Sequence, residues 1–300
     1  MAFGGQYGDC GEYSGWLISY DADTLARSGV IDLNPDSSNG GMWNGGAGPS
    51  ADAAGSIYVV TANTGDDPTI GADDYPNSVV RLTNPGTLAV ADYWTPFNAT
   101  TLDGEDEDLG SAGLLLLPDL KDNESVVHQY AVTSGKDGNM YVVNRENLGQ
   151  FNTVSNDIVQ TIAINPASPN QNFSTPAYFN NNVYVCPSNQ TLKAFAISNA
   201  LLATSATMST TPVIGSSGFT ISSNGASNGI VWAIQPTNGN GVLYAFDASD
   251  LSTTLYASNQ AAANRDQTAQ ILGNFHTPTV GNGKVYFGTG STVAVFGLLP

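Results

Sequence analysis

Hydrophobic residues along this chain come in short runs rich in β-branched and aromatic side chains, and helical periodicity is almost absent. The runs are separated by clusters of Gly, Asn, Asp and Pro, which favour turns. Runs of this length with turn residues at both ends predict β-strands, so the chain is predicted to be all-β. The clearest runs are Gly15 to Tyr20, Ser56 to Thr61, Met140 to Val143, Asn182 to Val185, Val242 to Phe246 and Lys284 to Phe287.

The predicted strands also repeat. A phrase of Pro, apolar residues, a Gly/Asn turn and an aromatic strand begins at Gly48, Thr175 and Thr277. A second phrase, which ends in an aromatic residue and Asp, reads LISYDADTL from Leu17 and LYAFDASDL from Leu243. The spacing is roughly 50 residues, which for four-stranded antiparallel units predicts the blades of a β-propeller. A β-sandwich array is the alternative, and the repeat length argues against it.

About six partial or complete blades can be assigned on this pattern, and together they make residues 1–300 a single propeller domain. Their predicted starts are near Met1, Gly46, Leu109, Phe173, Thr211 and Phe275. The first blade lacks its opening strand, and the last has only two or three strands. Either the two ends complete each other or further blades lie upstream, and we expect an N-terminal truncation.

The charge of the chain is strongly acidic, with 26 acidic and 8 basic residues and a net charge of −18. Nucleic acids and anionic membrane surfaces are therefore unlikely partners by charge, because no basic patch is present to contact phosphate. No run of 18 apolar residues occurs, so membrane insertion is not expected. The acidic residues either bind divalent cations or keep an extracellular protein soluble.

The cysteines, histidines and glycosylation sequons do not define a function. The two cysteines, Cys10 and Cys186, do not define a disulfide framework, and no CxxCH motif for covalent haem is present. Two histidines are too few for a His-rich zinc site. A secreted, periplasmic or cell-surface location is expected. Four glycosylation sequons are compatible with that location, at Asn98, Asn123, Asn172 and Asn189.

The repeats resemble the pyrroloquinoline-quinone-like β-propeller repeats of the quinoprotein alcohol dehydrogenase-like superfamily. The phrase LYAFDASDL matches the strand and the Ala-x-Asp corner of that repeat. A more specific match begins at Gly40, where GGMWNGGAGPSADAAGSIYVVTAN corresponds to the family's Gly-Gly-x-x-Trp run and the following strand that ends in Gly-Asn. The resemblance covers nearly the whole chain, and it implies the fold more strongly than any activity.

The resemblance also implies roles for five residues. Trp43 matches the tryptophan that stacks on the quinone, and Asn63 matches a metal-binding asparagine. Asp108, in the run DGEDEDLG, matches the aspartate that binds the metal and takes the alcohol proton. Asp106 matches the extra acid present where a lanthanide replaces Ca²⁺. Lys136, in SGKDGNMYVVNREN, matches the basic residue that hydrogen-bonds the quinone carbonyls. The implied cofactors are pyrroloquinoline quinone and Ca²⁺, without haem.

The sequence departs from the family pattern at several of its cofactor-binding positions. The adjacent-cysteine disulfide is absent, and Glu107 replaces the tryptophan beside the catalytic aspartate. Ser14 replaces an arginine, and only Asp9 or Glu12 is near the position of the metal-binding glutamate. These departures favour a non-catalytic scaffold or binding module with a degenerate quinone site. Its partner would be a carbohydrate or another extracellular protein. The alternative is a quinone- and Ca²⁺-dependent oxidoreductase that acts on small alcohols or sugars.

Each candidate residue also has a purely structural interpretation. Trp43 is equally suited to packing between blades, and Asn63 to a turn at a strand end. Lys136 is compatible with an ordinary hairpin turn. The acidic run from Asp103 to Asp108 is compatible with a solvated loop or with a structural Ca²⁺ site. Such a site would draw its other ligands from Asp66, Asp67, Asp73 and Asp74.

Overall fold

The computed structural model describes residues 1–5, 11–65, 70–83, 88–165, 172–213, 218–236, 240–271 and 275–297. The chain divides into two compact units, Met1–Asn170 and Gln171–Pro300. β-strands are the main regular secondary structure of each unit. The helices within the described ranges are all too short or too polar to cross a membrane.

The first unit contains three successive sheets and one short helix, α1 (Ala99–Glu105). The first sheet is the hairpin β1 (Trp16–Tyr20) and β2 (Arg27–Asp32). The second has the order β12-β6-β5-β4-β3, with β3 (Ser50–Ala51), β4 (Ile57–Val60), β5 (Val79–Thr83), β6 (Ala89–Thr95) and, added in parallel, β12 (Gln150–Phe151). The third has the order β13-β11-β10-β7, with β7 (Leu115–Leu116), β10 (Tyr130–Ser134), β11 (Asn139–Asn144) and β13 (Gln160–Ala163). A small hairpin of β8 (Leu120–Lys121) and β9 (Val127–His128) precedes β10.

The sheets of the first unit pack face to face, because alternate residues of one strand point to opposite faces. On β4, Tyr58 and Val60 belong to an apolar cluster with Tyr141 of β11, whereas Val59 belongs to a second cluster with Leu17 of β1. All of these side chains are buried. The middle sheet therefore has a hydrophobic core on each face, as expected for a blade between two neighbours.

The second unit repeats the arrangement with three more sheets. The first has the order β14-β15-β16-β18, with β14 (Ala177–Phe179), β15 (Asn182–Val185), β16 (Gln190–Ser198), β18 (Thr207–Val213) and the short β17 (Leu201–Leu202) also paired to β16. The next is the meander β19 (Phe219–Asn224), β20 (Ser227–Gln235), β21 (Val242–Asp247) and β22 (Thr254–Ala257). The last is β23 (Thr279–Gly281), β24 (Lys284–Gly288) and β25 (Val293–Gly297).

The middle sheet of the second unit is also covered by apolar residues on both faces. Val231 and Phe246 pack in the cluster that contains Tyr184 of β15, and Ile234 and Leu243 pack in the cluster of the last sheet. The same period-2 alternation therefore organises both units.

The predicted all-β class and the six quoted strand positions are confirmed. No predicted strand end differs from the observed one by more than one residue. Two expectations need correction. Thr211 was expected to open a new blade, but it lies in β18, the outer strand of the fourth sheet, and the next sheet begins at Phe219. Helix α1 was not predicted, because its sequence ATTLDGE is short and its only apolar positions are Ala99 and Leu102. The single-domain assignment and the blade count stay predictions.

Candidate functional site

Four segments of the first unit meet at the carboxyl end of β4, joined in two pairs by backbone hydrogen bonds and between the pairs by the Asp108 side chain, which accepts from the Asn63 amide. The amide of Ala62 donates to the carbonyl of Gly41 at 2.9 Å, and the amide of Gly40 donates to the carbonyl of Asn63 at 2.8 Å. The amide of Lys136 donates to the carbonyl of Asp108 at 3.0 Å. The segment before β3, the end of β4, the turn after α1 and the β10–β11 hairpin are therefore fixed against one another.

Asp108 is the buried acid of this region. Its side chain is completely inaccessible to solvent. Oδ1 accepts a hydrogen bond from the backbone amide of Asn63 at 3.0 Å, and Oδ2 forms an ion pair with Lys136 Nζ. Burial raises the pKa of Asp108, while the Lys136 ammonium and the Asn63 amide oppose that shift. Oδ1 is thus hydrogen-bonded, whereas Oδ2 is held by the ion pair alone and accepts no well-directed hydrogen bond from the described residues.

Lys136 contacts three of the other predicted site residues. Its side chain is only 6% exposed, and Nζ lies 3.1 Å from Asp106 Oδ1. Nζ also lies 4.8 Å from the ring centroid of half-buried Trp43, which is a cation–π distance. The structure therefore brings together Trp43, Asp106, Asp108 and Lys136, with the Asn63 backbone beside them. Their roles in binding stay predictions.

The hairpin that presents Lys136 is fixed by its own sequence. Gly138 has a φ of +77°, a conformation that glycine adopts without strain, and the Cβ of any other residue would lie 2.5 Å from the carbonyl oxygen of Asn165. Asp137 accepts hydrogen bonds from the Asn139 side chain at 2.8 Å and from the Tyr141 hydroxyl. Burial raises the pKa of Asp137 and holds the pKa of Tyr141 well above its usual value. The turn is thereby tied to strand β11.

The position of Asp108 depends on a close approach between two backbones. Asp108 precedes the 3-10 turn Leu109–Ser111, and Gly110 packs directly on the end of β4. A Cβ at Gly110 would lie 2.4 Å from the carbonyl carbon of Thr61 and 2.5 Å from the amide nitrogen of Ala62. Any larger side chain would separate this turn from the strand.

Asn77 and Asp103 support the same turn, and sequence reasoning assigned Asn77 no role. Asn77 is fully buried; its Oδ1 accepts from the Leu109 amide at 2.8 Å, and its Nδ2 donates to Asp103 Oδ1 at 2.7 Å. The only signal in the sequence is an Asn between Pro76 and a strand, which is common in turns. The acidic run is therefore partly structural and only partly solvated: Asp106 is 75% exposed, and Asp108 is buried.

The other candidate positions lie apart from this cluster or outside the described residues. Cys10, Asp9, Asp66 and Asp67 are among the residues that the structure does not describe. Asp74 is buried and accepts from the Asp36 amide at 3.2 Å, so it stabilises a loop. Cys186 is buried in the second unit, where burial raises its pKa to about 12. Of the four sequons, Asn172 is buried, whereas Asn123 and Asn189 are exposed.

The side-chain chemistry of this arrangement suits a planar ligand with oxygen acceptors better than a metal ion. An indole face beside a buried ammonium group suits a flat ligand that carries carbonyl or carboxylate oxygens. For a metal, the fit is poor because the Lys136 ammonium group already lies between the two carboxylates, although Asp108 Oδ2 accepts no well-directed hydrogen bond from the described residues. Within the described ranges, no group of three or more His, Cys, Asp or Glu side chains is placed to hold a metal. The metal-binding roles of Asn63, Asp106 and Asp108 therefore stay predictions.

Comparison with known proteins identifies the fold. No protein-family model and no curated protein sequence matches the chain. Among solved structures, a quinohemoprotein alcohol dehydrogenase from Pseudomonas putida HK5 superposes with a TM-score of 0.61 at 13% identity, over 94% of this chain and 53% of that one. A europium-containing methanol dehydrogenase gives 0.55 at 13%, over 92% and 61%. The Dos1 propeller gives 0.53 at 12%, over 93% and 64%.

These similarities show the architecture. The chain has a β-propeller fold, and its mainly antiparallel sheets, of two to five strands among the described residues, are the blades. It spans about half the length of the quinohemoprotein dehydrogenase that it matches. At such low sequence identity the structural similarity shows the fold alone and assigns no role to the residues of the site.

Proposed function

We propose that this protein is an extracytoplasmic β-propeller that binds a planar quinone-class ligand, such as pyrroloquinoline quinone, and that it is a binding module without dehydrogenase activity. The observation that carries the proposal is the contact of Lys136 with both Trp43 and Asp108. An exported location is supported by the exposed sequons at Asn123 and Asn189 and by the net charge of −18.

Each residue has a distinct task in this proposal. The Trp43 ring stacks on one face of the ligand, and the Lys136 ammonium donates hydrogen bonds to its oxygens. Asp108 keeps Lys136 charged and in place, because the two form a buried ion pair. The ammonium group thus supplies the positive charge that a metal would otherwise supply. We therefore expect ligand binding to be insensitive to removal of divalent cations.

The absence of catalysis is proposed from the state of Asp108. A catalytic base needs an accessible lone pair directed at its substrate. Asp108 is fully buried, its Oδ1 accepts the Asn63 amide, and its Oδ2 is held against the Lys136 ammonium group. The departures at Ser14 and Glu107 point in the same direction.

An oxidoreductase acting on small alcohols or sugars is the second candidate. It is favoured by one observation, which is that a buried carboxylate with a raised pKa lies beside an ammonium group. Such a carboxylate can accept a proton. A bound quinone would supply the hydride acceptor.

The decisive experiment is a titration with pyrroloquinoline quinone, followed by absorbance, in buffer with EDTA and in buffer with Ca²⁺. We expect micromolar binding in both buffers, and no dye reduction when alcohols are added. Trp43→Leu should weaken binding by about tenfold, because the stacking surface is lost. Trp16→Leu, which removes an exposed tryptophan elsewhere in the unit, is the matched control and should bind normally.

Three results would change the proposal. Failure to bind at micromolar ligand would exclude a quinone site. Equal affinity in the Trp43 and control variants would remove Trp43 from the site. Alcohol-dependent dye reduction would establish the oxidoreductase instead.

A further inference from the structure

A cavity of about 1020 Å³ lies within the second unit and is distinct from the site at Lys136. Its walls come from the β19–β22 sheet and the β23–β25 sheet. Trp232 and Tyr256 project from one face of the first of these sheets, because both are paired in register with Ala245. Phe296 of β25 faces them, with its ring centroid 6.4 Å from that of Tyr256. The cavity therefore has aromatic walls and a volume suited to one small organic ligand.

The polar side of this cavity contains a carboxylate whose negative charge is balanced by a neighbouring arginine. Arg265 donates two hydrogen bonds to Asp266, at 2.6 Å and 2.8 Å, and the Tyr256 hydroxyl donates to the same carboxylate at 2.6 Å. These donors hold the pKa of Asp266 at about 2, so the pair is ionised and balanced near neutral pH. A ligand anion would therefore not be repelled strongly by Asp266.

Lys284 adds an unbalanced positive charge to the cavity lining. Its stem lies along Gly297 of the neighbouring strand, where an added Cβ would approach Lys284 Cγ to 3.2 Å. No carboxylate among the described residues lies within 4.0 Å of its ammonium group. Among the residues that the structure describes, the lining thus carries two basic and one acidic, in a chain with 26 acidic and 8 basic residues.

We propose that this cavity binds a small aromatic carboxylate, whose ring lies against Trp232 and Tyr256 and whose anionic group lies at Lys284. The aromatic walls favour a flat apolar ring, and the excess positive charge of the lining favours an anionic group on the ligand. The proposal does not depend on the quinone site, because all of its residues belong to the second unit.

The test uses the full chain labelled with 5-fluorotryptophan, which gives one ¹⁹F NMR signal for each of its four tryptophans. Trp232→Phe assigns the signal of the cavity, and Trp43→Phe assigns that of the proposed quinone site. The probes are 2-naphthoate and its neutral counterpart 2-naphthamide. We expect 2-naphthoate to shift the Trp232 signal saturably at one site, and to bind about three- to fivefold more tightly than the amide.

Lys284→Gln should abolish this preference for the acid while leaving amide binding unchanged. Lys121→Gln removes the same charge from an exposed position in the first unit and should leave the preference intact. An unmoved Trp232 signal at millimolar naphthoate would overturn the proposal. So would equal binding of acid and amide, or a preference that survives Lys284→Gln. The Trp43 signal reports the proposed quinone site separately. If the quinone proposal fails, the Trp232 signal can therefore still be interpreted.

Discussion

The two units have the same kind of stacked sheets, but their charges differ sharply. Residues 1–170 contain 23 of the 26 acidic residues and five of the eight basic residues, so the whole net charge of −18 belongs to them. Residues 171–300 contain three of each sign and are neutral overall. The apolar alternation that forms the sheets is common to both units. The fold therefore does not require the charges, and their concentration in the first unit has to be explained by its loops and by its candidate site.

The ion pairs of the described residues show the same contrast. In the first unit, Lys136 and Asp108 form a pair that is withdrawn from solvent. In the second unit, Arg265 and Asp266 form a pair at the surface, with the Arg265 side chain 54% exposed. Buried pairs are costly to break because one charge is left without compensation, whereas exposed pairs contribute little. We therefore expect mutation of the buried pair to destabilise the protein strongly and mutation of the exposed pair to destabilise it little.

Lys136→Met tests the buried pair and should have the largest effect. Removal of the ammonium group leaves Asp108 buried without a counter-charge, which should lower the free energy of unfolding at pH 7 by about 3–5 kcal/mol. The loss should shrink as the pH is lowered towards 5. The pKa of Asp108, already raised by burial, rises further without Lys136, and protonation relieves the cost. Urea unfolding at several pH values measures both effects.

The double variant Lys136→Met with Asp108→Asn is the control for this experiment. It removes both charges while retaining an oxygen that can accept the Asn63 amide hydrogen bond. Most of the lost stability should return, and the pH dependence should disappear. If the double variant is as unstable as the single one, packing and not charge is what Lys136 contributes.

The contrast also shows what the sequence could and could not predict. The strands were predictable, because a period-2 apolar pattern needs only local information. Trp43, Asp108 and Lys136 were found through their resemblance to a family motif. Asn77 was not, because its contacts join Leu109 and Asp103, which are 26 or more positions away along the chain. The burial of Asp108 beside exposed Asp106 was equally hidden, since both belong to one acidic run.

Gly110→Ala tests the backbone approach that positions Asp108, and its effect should be intermediate. The added methyl group would meet the backbone of Thr61 and Ala62, which cannot move without opening the end of β4. We expect a loss of about 1–3 kcal/mol in unfolding free energy and weaker ligand binding at Lys136. Circular dichroism during urea denaturation measures the first, and quinone titration the second.

Gly241→Ala in the second unit is the matched control. There the methyl group would meet the terminal Cδ1 of Ile271, which can change rotamer. The change should therefore cost less and leave quinone binding unaltered. Equal losses for the two glycines would mean that the turn after Asp108 is no more constrained than an ordinary side-chain contact.

Asp266→Asn tests the exposed pair and should have the smallest effect. The donors from Arg265 and Tyr256 depress the pKa of Asp266 to about 2 in the folded protein, below its value in the unfolded chain. The stabilisation is therefore present above about pH 4 and is lost as the pH falls towards 2. With only three acids in residues 171–300, this pair should account for much of that unit's acid sensitivity, although exposure keeps its contribution to stability small.

The ¹⁹F signal of Trp232 reports this unit's unfolding in urea between pH 5 and pH 2. The variant should have a flatter pH profile than the wild type while remaining nearly as stable at pH 7. A loss at pH 7 comparable to that of Lys136→Met would mean that the surface pair is as important as the buried one, and the contrast between the units would not hold.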